Sequence, residues 1–245
     1  MNPFKLIRKQ ISAERRLRRD FDRFAQLAKD SAHKMDAAMH WSERRALFED
    51  TAETDFDAHY IYHPAWAARI LAATRPVAHT DISSTLHFCS IVSAFIPVSF
   101  YDYRPARLRL NHLTTAKADL TALPFAVDSI PSLSCMHVVE HIGLGRYGDP
   151  LDPAGDQKAM SELARVLARG GSLLFAVPVG RPKIIFNAHR IYSYRQIAQG
   201  FPGLKLQKFS LIPDNALEAG MTEEATEEQA NQQNYGCGCF WFKKP

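Results

Sequence analysis

Apolar and polar residues alternate in short blocks through the centre of the chain, and the order of these blocks predicts a crossover unit. One short strand is predicted to end at Asp119 and a buried strand near 137–140, where a polar loop begins that runs to residue 153. An amphipathic helix over Asp156–Leu167, an Arg-Gly-Gly turn and an apolar strand over Ser172–Val177 follow. This order is typical of parallel sheets, which bind ligands beyond the carboxyl ends of their strands. The polar loop is therefore the first candidate for a functional segment.

The block that precedes this unit has the same order of elements. Val77–Ile82 is predicted as the first strand, Leu86–Phe95 as a helix and Val98–Tyr101 as the second strand. Asp102 follows the second strand, as Asp119 follows the third. In nucleotide-binding halves of parallel folds, an acid at this place accepts hydrogen bonds from the two ribose hydroxyls. Asp102 is therefore a candidate ribose ligand, and Asp119 or its backbone could contact an adenine edge.

The chain beyond the crossover unit predicts the remaining elements. Residues 180–197 form a basic, aromatic-rich loop that enters a helix with Ser193 as its N-cap. Leu204–Leu211 is predicted as a strand, and residues 214–234 as a polar insertion, helical or mobile. The apolar segment 234–244 fits a final strand antiparallel to the fifth, because no clear crossover helix leads to it. The predicted fold class is α/β, with a Rossmann-like, doubly wound, mostly parallel sheet and an antiparallel last strand.

The first part of the chain differs from the rest in charge. Residues 1–34 carry ten Lys or Arg against four acids, and the remainder sums to −2. Apolar residues at helical spacing predict a basic amphipathic helix here: Leu17, Phe21, Phe24 and Ala28. We therefore expect an N-terminal helical extension over residues 1–57 and a Rossmann-like domain over 58–245. The helix could pack on the body or a partner helix, or dock on an anionic membrane surface. Nucleic acid is not expected, since no aromatic or glycine-rich platform accompanies the charges.

A second helix is predicted just before the first strand, over residues 59–71, with Pro64 in its first turn. In doubly wound enzymes a leading helix of this kind often covers the ligand cleft. Tyr60, Tyr62 and His63 are therefore candidate substrate contacts. The alternative is that they pack as an ordinary amphipathic surface.

Length and composition limit the class of protein further. A chain of 245 residues with 46% apolar composition can bury one sizeable core. No apolar run is long enough to span a membrane, and no secretory leader is recognisable, so we expect a cytoplasmic protein. If the basic helix docks on an anionic membrane surface, we expect it to do so at the inner membrane face. Cys237-Gly-Cys239 is too tight for an ordinary disulfide, and no second Cys/His pair completes zinc-like spacing. The four cysteines are expected to be buried thiols, and no metal site is expected.

Two levels of resemblance to known proteins appear in these segments. DLTALPFAVDSIPSLSCMHVVEHI followed by ELARVLARGGSLLFAVPV resembles the second half of a class I S-adenosylmethionine-dependent methyltransferase. More narrowly, HVVEHIGLGRYGDPLDPAGDQKA, FNAHRIYSY and the terminal NYGCGCFWF resemble a bacterial family, the DUF268 group. The likeness covers residues 58–245. It implies a methyltransferase-type Rossmann fold, S-adenosylmethionine as cofactor and a small polar molecule as methyl acceptor.

Carried over position by position, the resemblance implies these residues around the cofactor: Asp81, Asp102, Asp119, Leu120 and His137. One departure concerns the turn after the first strand, which has no glycine. Glycine at this turn lets the backbone approach a cofactor closely and adopt positive φ. Ser83 and Ser84 either replace that contact by donating hydroxyl hydrogens to the methionine carboxylate, or they fill the site.

Methyl transfer to a hydroxyl acceptor also needs a base that removes the hydroxyl proton. His141 is the first candidate because the ordinary histidine pKa lies near operating pH, and Glu140 could orient His141 or the acceptor. A divalent cation held by these two residues with Asp149 or Asp152 is disfavoured, since adjacent residues at a strand end point apart. A donor-rich wall suits an acceptor with hydroxyl or acidic groups, such as a saccharide of surface-glycan synthesis: Asn187, His189 and Arg190.

Three functional classes can be compared on these features. Asp102, Asp119 and the Glu140-His141 segment favour a methyltransferase. A dinucleotide-dependent oxidoreductase is disfavoured because the first turn lacks G-x-G-x-x-G, on which a bound pyrophosphate depends. The glycine-free turn favours a third class, a catalytically degenerate methyltransferase-like fold that serves as a binding or scaffold subunit.

Overall fold

The computed structural model describes residues 3–32, 38–45 and 51–245. The chain divides into two compact units, Met1–Asp55 and Phe56–Pro245. In the described residues, no helix is both long and apolar enough to cross a membrane.

The first unit contains the predicted basic helix. Helix α1 spans Pro3–Asp30, and a 3-10 turn spans Trp41–Glu43. Phe21 packs edge-on against Trp41 with 5.2 Å between ring centroids, and the guanidinium of Arg44 lies 4.1 Å from the Trp41 ring centre. The predicted helical extension over residues 1–57 includes residues 1–2, 33–37 and 46–50, which lie outside the described part. Docking of α1 on a membrane or a partner stays a prediction.

The second unit is built on two sheets and six helices within the described residues. Its elements in chain order are α2 (Ala58–Thr74), β1 (His79–Ile82), α3 (Leu86–Val92), β2 (Val98–Asp102), β3 (Leu113–Lys117), β4 (Ile130–Met136), a 3-10 turn (Val139–His141), α4 (Gly155–Val166), β5 (Leu167–Val179), β6 (Lys183–Ile185), β7 (His189–Ile191), α5 (Tyr194–Ala198), β8 (Lys205–Ile212), α6 (Ala216–Ala219), α7 (Glu227–Asn231) and β9 (Gly236–Lys243).

The main sheet has the strand order β3-β2-β1-β4-β5-β9-β8. Strands β1 to β5 run parallel, whereas β9 pairs antiparallel with both β5 and β8. β6 and β7 form a separate antiparallel hairpin. The predicted doubly wound fold with an antiparallel last strand is therefore confirmed.

Alternation of side chains along β5 explains how the sheet supports helices on both faces. Leu173, Phe175 and Val177 belong to the core cluster that includes α4 and α5. Leu174 and Ala176 belong to the cluster that includes α2 and α3. Successive side chains of a strand point to opposite faces, so a continuous apolar run buries both sides of the sheet.

Some predicted boundaries were wrong. The predicted Arg-Gly-Gly turn lies inside β5, which begins at Leu167. Its residues are extra to the pairing of β5 with β4, whose register shifts between Ile130 and Ser132. Pro64 lies in the second turn of α2, since Asp57 caps the helix seven residues earlier by accepting a hydrogen bond from the Tyr60 N–H at 3.3 Å. Ser193 is the N-cap of α5, as predicted, and forms a capping box with Gln196.

Candidate functional site

A pocket lies at the carboxyl edge of the parallel strands. It is bordered by the turn after β1, the segments after β2 and β3, and the loop after β4. The lining includes Ser83, Tyr103, Asp119, Leu120, Ile142, Asp152 and Lys158. Because the carboxyl ends of parallel strands meet at one edge, side chains far apart in sequence share this pocket.

The turn after β1 is tied together by a buried carboxylate. The Ser84 N–H donates to Asp81 Oδ1 at 2.9 Å, and the Ser134 hydroxyl donates to Asp81 Oδ2. The Ser84 hydroxyl accepts a hydrogen bond from the Met136 N–H at 3.0 Å, which fastens the turn to β4. Burial raises the pKa of Asp81 to about 6, although hydrogen bonds from Ser134 and Ser84 act in the opposite direction. The hydrogen bonds of Asp81 and Ser84 thus fix the turn after β1 on its buried side.

Ser83 adopts a backbone conformation that normally favours glycine. Its φ is 58°, and its N–H and hydroxyl both donate to the Tyr101 carbonyl, at 2.7 and 3.2 Å. Of the two serines predicted to meet the cofactor, Ser83 lines the pocket and Ser84 does not. Both hydroxyls have partners within the protein.

The two acids after β2 and β3 each stabilise their own turn. Asp102 Oδ1 accepts the Arg104 N–H at 2.7 Å, and Asp119 Oδ1 accepts the N–H and hydroxyl of Thr121 at 2.8 and 2.7 Å. Asp119 and Leu120 line the pocket. Asp102 directly precedes Tyr103, which also lines it, so the predicted ribose and adenine contacts lie at one edge.

A cluster of histidines begins at the end of β4, and its member His141 directly precedes Ile142, which lines the pocket. His137 has a φ of 57°, and its Nδ1 lies 2.8 Å from Glu140 Oε1. Three rings from the start of α2 surround His137, those of His59, Tyr60 and His63, with centroid separations of 5.1, 5.3 and 5.1 Å. We call His59, His63, His137, Glu140 and His141 the histidine cluster.

Glu140 is a fully buried carboxylate between two histidines. Its Oε1 lies 2.8 Å from His137 Nδ1 and 3.8 Å from His141 Nε2. Oε2 is buried and has no hydrogen-bond partner in the part of the chain that the structure describes. Burial alone would raise the pKa of Glu140, but His137 and then His141 lower it. For His137, burial alone would lower the pKa, whereas Cys237 and Glu140 raise it. Glu140 therefore stays ionised, with the His137 and His141 rings beside it.

The orientation of His141 is set by a backbone carbonyl. His141 Nδ1 lies 2.6 Å from the Ala188 carbonyl oxygen, and Arg146 Nη1, a donor, lies 3.2 Å from both atoms. Because the carbonyl can only accept and is the nearer group, we assign the proton to Nδ1. Nε2 then holds the lone pair and faces Glu140 Oε1. This arrangement gives His141 one nitrogen that can accept a proton, with the Glu140 carboxylate beside it.

The hairpin β6–β7 supplies the predicted second wall, but its three residues differ in role. His189 packs on Tyr235 with 4.9 Å between centroids, and its buried Nε2 has no partner within the described ranges. Asn187 is exposed at the hairpin tip with a φ of 58°. Arg190 is buried, donates to the Ile142 carbonyl at 2.7 Å and lies 3.5 Å from Asp156. Arg190 therefore fixes the loop after β4.

The structure also separates the three residues predicted from α2. His63 belongs to the histidine cluster and Tyr60 packs against it, whereas Tyr62 lines a different pocket with Trp66 and Trp241. Residues two apart on a helix do not share a face, so Tyr60 and Tyr62 diverge.

Sequence reasoning missed two members of the site. His59 lies in the cluster, and Cys237 in β9 has its Sγ within 4.8 Å of ring nitrogens of His59 and His137. The His59 to His63 spacing of four residues on a predicted helix was a usable signal. Cys237 gave no such signal, because only the fold brings β9 beside β4 and α2.

The fold and edge pocket define a class I methyltransferase-type Rossmann architecture, and solved structures share it. The N-methyltransferase NodS from Bradyrhizobium japonicum, in complex with S-adenosyl-L-homocysteine, has a TM-score of 0.55 at 13% identity over 78% of this chain and 90% of its own. A putative methyltransferase from Bacillus halodurans has a TM-score of 0.50 at 13% identity over 74% and 98%. The [4+2]-cyclase SpnF has a TM-score of 0.50 at 11% identity over 74% and 81%. At these identities the likeness concerns the fold.

The family resemblance is more specific and is also confirmed. Residues 125–237 match the family described as "Caenorhabditis protein of unknown function, DUF268". This description does not support the bacterial origin that the sequence resemblance implied. The matched segment includes β4, the loop after it, the β6–β7 hairpin and Cys237. A comparison with curated proteins finds no match by sequence.

Proposed function

We propose that this protein is an S-adenosylmethionine-dependent methyltransferase that acts on a small polar acceptor. The observation that carries the proposal is the pocket at the carboxyl edge of the parallel strands, where Asp119 and Leu120 meet Ser83 and the loop after β4. Folds of this type bind their ligands at that edge. The NodS structure, which contains S-adenosyl-L-homocysteine, has the same fold and supports the choice of cofactor.

The cofactor would be held by residues from three strand ends. Asp102 would accept hydrogen bonds from the ribose hydroxyls, and Asp119 with Leu120 would contact the adenine. Ser83 would lie at the methionine end, where its backbone in the left-handed region takes the place of a glycine. When bound, the cofactor supplies an electrophilic methyl group on a sulfonium.

The protein's own chemistry lies in the histidine cluster. An acceptor hydroxyl placed against His141 would give its proton to Nε2, because Nδ1 is already bonded to the Ala188 carbonyl. Glu140 would stabilise the resulting imidazolium from 3.8 Å. His141 and Glu140 would thus hold and move the acceptor proton, and the bound cofactor would supply the methyl group to the acceptor oxygen. Tyr60 and His189 would border the acceptor. The notion that it is a saccharide of surface-glycan synthesis stays a prediction.

One observation favours a second candidate, a degenerate fold that serves as a binding or scaffold subunit. The first turn has no glycine, and the hydroxyls of Ser83 and Ser84 are already hydrogen-bonded to Tyr101 and Met136. In this case the edge pocket does not accept the methionine end of the cofactor.

Calorimetric titration of the full-length protein with S-adenosylhomocysteine separates the two candidates. We expect micromolar binding, and we expect Asp102→Ala to weaken it by about 2–4 kcal/mol, the loss of two charge-assisted hydrogen bonds. Asp55→Ala is the control, since Asp55 is an exposed acid that does not line the pocket. Absence of binding at millimolar ligand would reject the methyltransferase and favour the scaffold. Equal affinity in wild type and Asp102→Ala would reject the ribose assignment.

A further inference from the structure

We propose that His59, His137 and Cys237 form a binding site for a transition metal ion of the zinc type. The three residues come from the start of α2, the end of β4 and the start of β9. One ligand atom from each lies within 4.8 Å of the other two. The inference stands on this geometry and does not rest on the proposed methyl transfer.

The chemistry of the donors selects the ion. Two imidazoles and one thiolate are the ligands that Zn²⁺ and related transition metals prefer, whereas Mg²⁺ and Ca²⁺ prefer oxygen ligands. Ligand atoms of a tetrahedral zinc site lie about 3.3–3.8 Å apart, given Zn–N and Zn–S bonds of about 2.0–2.3 Å. An ion would therefore draw the ligand atoms together by at most about 1.5 Å. Three protein ligands leave a fourth position for water or another small ligand.

A second observation points independently to a ligand at this place. His137 is 8% exposed, and its Nε2 is buried with no hydrogen-bond partner among the described residues. Its other ring nitrogen, Nδ1, lies 2.8 Å from Glu140 Oε1. Histidines that bind metals usually donate the second ring N–H to a carboxylate or carbonyl, which fixes the tautomer and directs the free lone pair at the ion. The Glu140–His137 pair has this arrangement, and this role explains why the Glu140 carboxylate is buried beside His137.

The backbone holds the ligands in place. His137 has a φ of 57°, a conformation that costs a non-glycine residue free energy and that is often retained where a side chain must point in a required direction. Cys237 lies between two strands, paired with Pro178 of β5 and Ile212 of β8. His59 lies in the first turn of α2, behind the Asp57 cap. Ligands on elements fixed in this way form a preorganised site.

A neighbouring cysteine provides a matched control. Cys239 lies two residues further along β9, so its side chain points to the same face of the sheet, one pleat deeper. Both thiols are fully buried, but only Cys237 belongs to the group of ligand atoms. Cys237→Ala and Cys239→Ala remove the same atoms from the same core. Of the two cysteines, only Cys237 is proposed to bind the metal.

The test is a titration of the untagged full-length protein, stripped with a chelator, with Zn²⁺ and then Co²⁺. We expect one equivalent to bind and the Co²⁺ form to show a near-ultraviolet thiolate-to-metal absorption band. Cys237→Ala should abolish this band and weaken Zn²⁺ binding by about 100-fold or more, and His59→Ala should weaken it comparably. Cys239→Ala should keep the band and the affinity. A band that survives in Cys237→Ala, or is lost equally in Cys239→Ala, would overturn the site.

X-ray absorption at the zinc edge needs only the wild-type protein, so its result does not depend on whether the variants fold. We expect one sulfur at about 2.3 Å and two nitrogens at about 2.0–2.1 Å. A shell without sulfur would reject the assignment. Neither measurement uses S-adenosylhomocysteine, so the metal site and the methyltransferase proposal can fail separately.

Discussion

The loops that follow β1 and β4 lie at the same edge of the sheet but differ in how their polar groups are satisfied. After β1, the carboxylate of Asp81 and the hydroxyls of Ser83 and Ser84 all bond within the protein. After β4, His137 Nε2 and Glu140 Oε2 are buried without partners among the described residues. Buried polar groups are rarely left unpaired unless a ligand, ion or water completes them.

In a typical fold of this type the glycines lie in the turn after β1, whereas in this protein they lie in the loop after β4. The turn after β1 has none, whereas the loop after β4 contains Gly143, Gly145 and Gly148, all at positive φ. The first loop is therefore fixed by side-chain hydrogen bonds and the second by its backbone conformation. We therefore expect the loop after β1 to have a structural role and the loop after β4 a chemical one, and each loop can be tested separately.

The largest effect is expected from Gly143→Ala. A Cβ at this residue would lie 2.0 Å from the Asp152 carbonyl oxygen, and φ is +78°. Backbone must therefore move, and the loop would lose the hydrogen bond from the Asp152 N–H to the Gly143 carbonyl at 3.0 Å. We expect the free energy of unfolding in urea to fall by about 3–5 kcal/mol and S-adenosylhomocysteine binding to be lost, since Gly143 lines the pocket.

Gly148→Ala is the matched control for this substitution. Gly148 has a similar φ of +82°, but a Cβ there meets no atom within 4 Å. Its cost should be about 1 kcal/mol, from the backbone conformation alone. Equal losses of stability in the two variants would show that the contact between Gly143 and Asp152 does not hold the loop.

A second prediction concerns the pH dependence contributed by Asp81. Its folded-state pKa, about 6, lies above the value in the unfolded chain, so the folded protein binds the proton more tightly. The stability that this proton contributes is present below about pH 4 and is lost as pH rises to about 6. Relative to Asp81→Asn, the unfolding free energy of the wild type should therefore fall by up to about 3 kcal/mol across this range.

In the folded protein, the groups next to Asp81 do not titrate between pH 4 and pH 6. Burial lowers the pKa of His79, which bonds to Ser134, to about 3, and burial raises the pKa of the Cys89 thiol far above neutrality. Both stay neutral between pH 4 and pH 6 in the folded protein, and their titration in the unfolded chain is common to the wild type and Asp81→Asn, so it cancels in the difference. Urea unfolding at several pH values measures the difference, and a difference that is constant with pH would mean that Asp81 is not perturbed.

How far the sequence predicts this molecule depends on whether the signal is local. Hydrophobic blocks predicted the parallel strands and the antiparallel β9, because strand burial leaves a pattern within a few residues. The predicted start of β5 was wrong, since a register shift between two strands cannot be recognised from the sequence of either strand alone. Ser193 as an N-cap was correct because capping depends on neighbouring residues.

The candidate site was predictable only in part for the same reason. Acids at strand ends are recognisable, and Asp119 with Leu120 does line the pocket. The separation of Tyr60 from Tyr62 follows from helix geometry and could have been predicted. Cys237 could not, because its proximity to His59 and His137 depends on the packing of three elements that are distant in sequence.

The smallest effect is expected from Ser83→Gly, which restores the glycine that the first turn lacks. Glycine relieves the cost of φ 58°, but the hydrogen bond from the Ser83 hydroxyl to the Tyr101 carbonyl is lost, so stability should change by no more than about 1 kcal/mol. Affinity for S-adenosylhomocysteine, measured by calorimetry, should rise because the backbone can approach the ligand. Ser84→Ala is the control: it leaves the Met136 N–H unpaired, should cost about 1–3 kcal/mol and should not improve binding. Weaker binding by Ser83→Gly would instead show that the Ser83 hydroxyl itself contacts the cofactor, and the contrast between a structural β1 loop and a chemical β4 loop would not hold.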